Sequence, residues 1–295
     1  MKLEYINKEN KYKKLRDVLI KEFNISSREI TNLKKRNLIF LNNENTFLDK
    51  NLNLNDKIVV SFDYDEDNSN IIPLENNLDI IYEDEWLLII NKPPLMPIHP
   101  TSNHFDDTLS NIVKFYYDKI NLKKKIRPVN RLDKDTSGIV VFAKNEYIQE
   151  TLIKQMKNNT FKKTYIALID GILLKKEDTI NKPITRKLPS IIERKISDNG
   201  DLSITHYKVL KENKKEKISL LELLLETGRT HQIRLHMQYL NTPILGDTLY
   251  GKKSNLISRQ ALHSYKIEFI HPITKKNINF LANIPNDINN IIKTL

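Results

Sequence analysis

Residues 128–144 read PVNRLDKDTSGIVVFAK. Arg131, Asp133, Lys134, Asp135, Thr136, Ser137 and Gly138 crowd into eight positions, and Ile139, Val140, Val141 and Phe142 follow at once. A polar turn feeding a β-branched run predicts a loop that enters a buried strand. Gly138 supplies backbone freedom at the junction. Asp133 and Arg131 then stand at the mouth of a core strand, where a rigid element can hold a reacting group. Taken by itself the stretch reads first as a capped turn, with Asp133 and Thr136 bonded to nearby backbone N–H groups.

Working outward on the N-terminal side, Lys123, Lys124, Lys125 and Arg127 abut this motif. A basic run is usually a solvated loop, but its position makes Lys125 and Arg127 candidates for phosphate contact. Before it, Thr108 can cap a helix in which Leu109, Ile112, Val113, Tyr116 and Ile120 form one apolar face. Residues 91–100, NKPPLMPIHP, carry four prolines that forbid helix and limit strand pairing. Lys92 and His99 could approach a nucleic acid from this loop, although a satisfied loop histidine is the simpler reading of His99. Strands are expected at 79–82 and 86–91 around an acidic turn.

On the C-terminal side, Asn145 can cap a helix with Ile148, Leu152 and Met156 inward. A strand follows over 161–170, and residues 172–200 read as a charged, irregular surface excursion. Strands are expected at 203–210 and 218–226, where Leu221, Leu223 and Leu225 alternate onto one face. The next dense stretch is TGRTHQIRLH at 227–236, leading to PILGDTLYG at 243–251. Thr230 can cap a helix with Ile233, Met237 and Leu240 inward. Arg234, three positions after His231, then shares its face away from those apolar groups. Residues 259–263 and 267–272 supply the last strand, with His263 structural.

The N-terminal 62 residues read as a small separate module. Leu15, Val18, Leu19 and Phe23 fall at helical spacing, and Ser26 with Glu29 makes a capping-box pattern for a second helix. That helix ends in Lys34, Lys35 and Arg36, which suit a helix C-terminus and are candidates for RNA contact. Short strands are expected at 38–41 and 57–62. Residues 63–78 are acidic, rich in Asn and interrupted by Pro73, the composition of a linker. The domain division is therefore 1–62, a linker at 63–78, and a second unit at 79–295, which the resemblance described below makes the catalytic domain.

The chain has 295 residues, 39% of them hydrophobic, with a formal net charge of +11. That supports packed cores and a polyanionic partner, although so few glycines (6) beside abundant Lys, Asn and Ile also suggest biased composition. With no cysteine there is no disulfide, thiolate metal site or cysteine nucleophile. No signal-peptide core and no run of 18 apolar residues is present, so a cytoplasmic location is expected. His231 and His236 diverge by about 140° on a helix, a poor metal pair, and no metal or other cofactor is expected.

The motifs carry a resemblance. NRLDKDTSG resembles the H-R-L-D-x-x-T-S-G signature of the RluA/RluD-type pseudouridine synthases of ribosomal RNA, with Asn130 in place of the usual His. NKPPLMPIHP is similar to that family's N-K-P-x-G-x-x-V-H-P, with Leu95 in place of Gly. Lys163-x-Tyr165 before Gly171 resembles its K-x-Y-x-A-x-V-x-G, and TGRTHQIRLH matches its third motif throughout. The likeness covers roughly residues 78–285. More loosely, residues 1–62 resemble the alpha-L RNA-binding module that many of these enzymes carry.

The resemblance implies an α+β fold: a catalytic domain around a large mixed, mainly antiparallel sheet with flanking helices, plus the small N-terminal module. It implies Asp133 as the catalytic residue, Arg234 paired with it, and Tyr165 against the target uracil. It also implies that Arg131 fills the space a flipped base vacates, and that Arg229 and His231 contact RNA. The reaction is an isomerisation that needs no redox cofactor, ATP or metal. Asp133 can act by attacking the anomeric carbon or by removing the neighbouring ribose proton. The expected partner is ribosomal RNA, with transfer RNA the alternative, and the protein is read as a monomer without membrane contact. Two other functions compete: a hydrolase using Asp133 and Asp135 as paired carboxylates, and a non-catalytic RNA-binding or assembly factor that keeps the fold.

Overall fold

The computed structural model describes residues 1–295. At the N-terminus, β1 (Lys2–Ile6), β2 (Ile39–Leu41), β3 (Glu44–Asn45) and β4 (Lys57–Ser61) form an antiparallel sheet in the order β1-β4-β2-β3. The strand β1 has no counterpart in the sequence reading, because its short alternation gave no distinct pattern. Helix α1 (Leu15–Asp17) runs directly into a wider helical turn at Val18–Glu22, and α2 (Ser27–Lys35) follows. Only half of the expected capping box forms. Ser26 Oγ accepts from Glu29 N at 3.3 Å, while the buried Glu29 carboxylate has no hydrogen-bond partner.

This sheet is its own layer, yet it is not a bead on a tether. Phe62 packs edge-on to Trp86 (6.1 Å) and stacks on Tyr147 (5.5 Å), so the two parts of the chain share one apolar cluster. The acidic segment expected as a linker is a packed strap. Glu66 takes a bidentate pair from Arg127 (2.5 and 2.7 Å), Asn68 Nδ2 donates to Lys124 O, and Tyr64 sits between the cations of Arg36 and Lys124.

The main sheet holds β5 (Ile80–Glu83), β6 (Leu87–Lys92), β7 (Ser137–Ala143), β8 (Lys162–Asp170), β9 (Glu177–Asn181), β12 (Ile204–Asn213), β13 (Ile218–Leu225), β14 (Leu262–Ile270) and β15 (Asn277–Leu281). The order is β5-β6-β7-β14-β8-β13-β12-β9, and β15 pairs with the far half of β14. All pairings are antiparallel except β7 with β14, so the sheet is mixed and mainly antiparallel. Its flanking helices are α3 (Leu109–Lys119), α4 (Glu146–Lys157), α5 (Gln232–Tyr239) and α6 (Asn286–Ile292). Asn145 caps α4 by accepting from Ile148 N, as its residue type predicts.

Residues 172–200 depart from expectation. They hold the edge strand β9 and a separate hairpin of β10 (Ile184–Arg186) and β11 (Arg194–Ile196). High charge and short length hid these strands: Ile184 and Ile196 pair and pack against Leu235 and Tyr250, but strands of three residues are too short for an apolar alternation to show.

The strand β7 is buried at every position, as a continuous β-branched run requires. Gly138 takes φ +111°, and a Cβ there would lie 2.2 Å from Ser264 O of β14. Glycine is needed both for that backbone conformation and for the close approach of β14. These contacts fix where the polar turn before β7 points.

Candidate active site

The opening motif forms a tight turn, with Thr136 N donating to Asp133 O at 3.0 Å. Asn130, the departure from the resembled pattern, is buried and laces this turn to β7. Its Nδ2 donates to Ile139 O and its Oδ1 accepts from Val141 N, each at 2.9 Å. The short amide thus satisfies two backbone groups of the strand edge.

The helix α5 starts one residue later than a Thr230 cap would place it. His231 is its N-cap residue, in the left-handed region at φ +59°. Gln232 folds back as a brace: its Oε1 accepts from Thr227 Oγ1 and Arg229 N, and its Nε2 donates to Ile204 O and Thr205 Oγ1. Side-chain bonds to backbone from a glutamine, rather than a threonine cap, hold this helix start to β12.

Arg234 projects from α5 between two carboxylates. Its Nη1 donates to Asp133 Oδ2 at 3.0 Å, while its Nε and Nη2 form a fork on Asp247 at 2.7 and 2.8 Å. Asp247 is fully buried and also accepts from the N–H groups of Leu249 and Tyr250. Burial alone would depress the arginine and raise the Asp247 carboxyl. Their mutual hydrogen bonds and charges override it, holding Arg234 above and Asp247 below its usual range. Arg234 is therefore a fixed cation presented to the partly exposed Asp133.

His231 Nε2 lies 3.7 Å from the same Asp133 oxygen, and its Nδ1 is 3.0 Å from Tyr250 Oη. That phenol oxygen accepts from Arg194 N at 2.8 Å. Burial lowers the His231 pKa against the opposing charge of Asp133. The ring thus bridges Tyr250 and Asp133, with Nδ1 on the phenol and Nε2 facing the carboxylate.

A cavity of about 570 Å³ opens here, walled by Arg131, Asp133, Tyr165, Arg229, His231 and Arg234, with Leu225, Ile233 and Leu262 as apolar lining. Tyr165 on β8 is buried, and burial raises its phenol pKa, so it is neutral. Lys163, two residues earlier on the same face, also lines the cavity. It has no carboxylate within reach, and burial lowers its pKa.

The candidate residues do not all gather. Arg131, Asp133, Tyr165, Arg229, His231 and Arg234 share the cavity; Lys34, Lys35, Arg36 and Lys125 are exposed elsewhere, Arg36 over the Tyr64 ring at 4.5 Å. Arg127 is buried on Glu66 and has no free fork for a phosphate, because the acidic strap took it. Lys92 is fully buried and donates to Pro93 O, Met96 O and Lys134 O, tying the proline-rich loop to the Asp133 turn. Burial, aided by the Arg259 charge, pulls its pKa down to about 7 against Asp135 and Asp133. His99 is 3.2 Å from Ser110 Oγ, a structural contact. Asp133 and Asp135 lie on a turn rather than a strand, and only Asp133 lines the cavity, so paired carboxylates are not assembled.

Sequence reasoning missed Asp247 and Tyr250, although both sit in the GDTLYG stretch, and gave Lys163 no role beyond its motif. An acidic residue enclosed by glycines after a conspicuous arginine was the available signal. No group of three His, Cys, Asp or Glu side chains is arranged to hold a metal ion.

One carboxylate held by a buried arginine, in a basic cavity with an aromatic wall, suits chemistry on a base-bearing polyanion. A family model described as RNA pseudouridylate synthase matches residues 86–239. Over 226 residues the chain is 44% identical to a Bacillus subtilis (strain 168) protein named uncharacterized RNA pseudouridine synthase YhcT, covering 77% of this chain and 75% of that one. It is 37% identical over 273 residues to YjbO of the same organism, likewise named an uncharacterized RNA pseudouridine synthase, covering 92% and 96%. The ribosomal large subunit pseudouridine synthase D of Vibrio cholerae is 36% identical over 225 residues, covering 72% and 68%. In fold, the chain is similar to the human RNA pseudouridylate synthase domain containing 4, with a TM-score of 0.59 at 20% identity, covering 72% of this chain and 91% of that one. The chain belongs to the RNA pseudouridylate synthase family. It is an RNA pseudouridine synthase, an isomerase.

Proposed function

We propose that Asp133 is the catalytic carboxylate of this synthase and that the substrate is large-subunit ribosomal RNA. The observation that carries the first part is Arg234 held between Asp133 and the buried Asp247. A guanidinium already fixed by one carboxylate keeps the second ionised and limits its rotation. The second part rests on the names of relatives such as the Vibrio cholerae protein.

The chemistry breaks the N1–C1′ bond of uridine, turns the base in place, and joins C5 to C1′. A proton leaves C5, and N1 ends protonated. Asp133 serves the ribose, either as nucleophile at C1′ or as base toward the neighbouring ribose proton. Tyr165 gives the detached base an apolar, neutral wall to turn against, and the enclosing cavity limits its escape. The exposed Arg131 stands at the rim, where it can fill the gap left by a flipped nucleotide. Arg229 and His231 bound the same cavity, and the exposed Lys34, Lys35 and Lys125 extend the basic surface. The enzyme acts as a monomer in the cytoplasm.

The test uses ribosomal and transfer RNA transcripts carrying tritium on uracil C5. Wild-type protein should release tritium to water from large-subunit RNA, and Asp133→Asn should release none while binding with nearly unchanged affinity. Near-normal release by Asp133→Asn would refute its role, and release from transfer RNA alone would refute the substrate.

A further inference from the structure

Beside the catalytic cavity lies a second one, of about 400 Å³, lined by Arg186, Arg194, Arg229, Thr185 and Asp201 among others. Gly228 and Arg229 line both cavities, so the two adjoin. On the β10–β11 hairpin, Arg186 and Arg194 are directly opposite each other in register. Like charges at such a pair destabilise a hairpin, and neither guanidinium has a carboxylate partner. Arg194 Nη1 is occupied by the carbonyls of Ile191, Ile192 and Glu193, which fixes its stem, and Arg229 Nε is held by Leu202 O. The cluster's lone carboxylate, Asp201, is largely exposed and 3.9 Å from Arg229.

The hairpin is also tied to the reaction centre. Arg194 N donates to Tyr250 Oη, which contacts His231, whose other nitrogen faces Asp133. Its turn exposes Leu188, Ile191 and Ile192, an apolar tip on a basic stem. Opposed arginines with no carboxylate of their own, in a pocket adjoining the catalytic cavity, suit an anion.

We propose that Arg186, Arg194 and Arg229 bind a backbone phosphodiester of the RNA next to the target nucleotide, and that the hairpin is a substrate clamp. The inference rests on the reading of RNA as substrate. The adjacency of the two cavities, which share Gly228 and Arg229, favours a chain of phosphates over a free anion. The planar forks suit a diester, and the apolar tip offers a surface to an unstacked base.

The experiment compares wild type, Arg186→Gln/Arg194→Gln and Lys195→Gln, the last removing a charge from the opposite face of the same strand. Tritium release from the large-subunit transcript is followed across a salt series, and Asp133→Asn versions of each are used for RNA binding. For the double arginine change, KM and the dissociation constant should rise roughly tenfold or more. The log–log salt slope should fall by about 0.7–0.9, one phosphate's share. The kcat should hold within a few-fold, and the melting temperature should hold or rise as the like-charge pair is removed. Lys195→Gln should leave all of these nearly unchanged. Wild-type KM and slope in the arginine variant, or an equal effect from Lys195→Gln, would overturn the clamp. An equal effect from inorganic phosphate and from sodium chloride of the same ionic strength is expected; saturable competition by phosphate alone would instead assign the pocket to a free anion. If wild type releases no tritium, the functional reading fails, and the binding arm still decides the clamp.

Discussion

Replacing Asp247 by Asn removes one oxygen's worth of charge from the centre of the site and changes no volume. Three of the four bonds Asp247 accepts, from Arg234 Nη2, Leu249 N and Tyr250 N, end on Oδ1, and an asparagine carbonyl can keep them. The fourth, from Arg234 Nε at 2.7 Å, ends on Oδ2, where the amide NH2 would set donor against donor. Arg234 is buried, with Asp133 its only other carboxylate. Breaking a buried pair outright costs about 3–5 kcal/mol; with Asp133 and one bond to the asparagine still in place, the loss here should be about 2 kcal/mol. The guanidinium should turn toward Asp133 and displace it, and a misplacement of about 1 Å can lower turnover some 100-fold. Urea unfolding at pH 7 measures the first quantity. Single-turnover tritium release, well below the variant's unfolding midpoint, measures the second. A loss under about 1 kcal/mol with turnover within a few-fold of wild type would refute the view that Asp247 sets the Arg234–Asp133 geometry.

Leu95, exposed and left-handed at φ +62°, should become less strained as glycine. Relief of about 1–2 kcal/mol against an entropy cost of about 0.5–1 predicts a net gain near 0.5–1 kcal/mol in thermal unfolding for Leu95→Gly; a clear loss would mean its side chain packs. His263 is buried, and burial lowers its pKa to about 4 from the usual 6.5. The native state therefore binds fewer protons than the unfolded chain in that window, and stability falls with acidification, by about 2 kcal/mol between pH 7 and 5. His263→Asn should remove that much of the pH dependence, and an unchanged profile would contradict it. Glu29 has the opposite sign: burial, helped by the Glu146 charge, raises its carboxyl to about 7 from 4.5. Its contribution is present near pH 5 and falls away by about 2–3 kcal/mol as the pH rises to 8. Glu29→Met should flatten that decline. The two groups nearly cancel between pH 5 and 7, so the pair of variants should tilt the stability profile in opposite directions.

Much of this protein was legible from local pattern. The strand after Gly138, the helix capped by Asn145 and the alternating leucines of β13 follow from periodicity and cap chemistry, which act within a few residues. Asp133 and Arg234 were nameable because each sits in a dense motif. What failed did so where a distant partner changed a residue's role. Arg127 and Lys92 have the composition of RNA contacts, but one is claimed by Glu66 from the acidic strap and the other by three carbonyls. The β10–β11 hairpin escaped because strands of three residues give too few positions for an apolar alternation to be detected.

The sequence by itself determined the strand-rich catalytic unit, the family likeness, and the two motifs that hold Asp133 and Arg234, since those depend on residue type and spacing. Only the tertiary structure decided that Asp133 and Arg234, 101 positions apart, are bonded, that Asp247 holds the arginine from behind, and that opposed arginines on the hairpin border the catalytic cavity. Charge pairing acts through space and leaves no period in the chain. A carboxylate's partner is therefore set by which strands lie side by side, and the parallel join of β7 to β14 brings together stretches no local pattern connects.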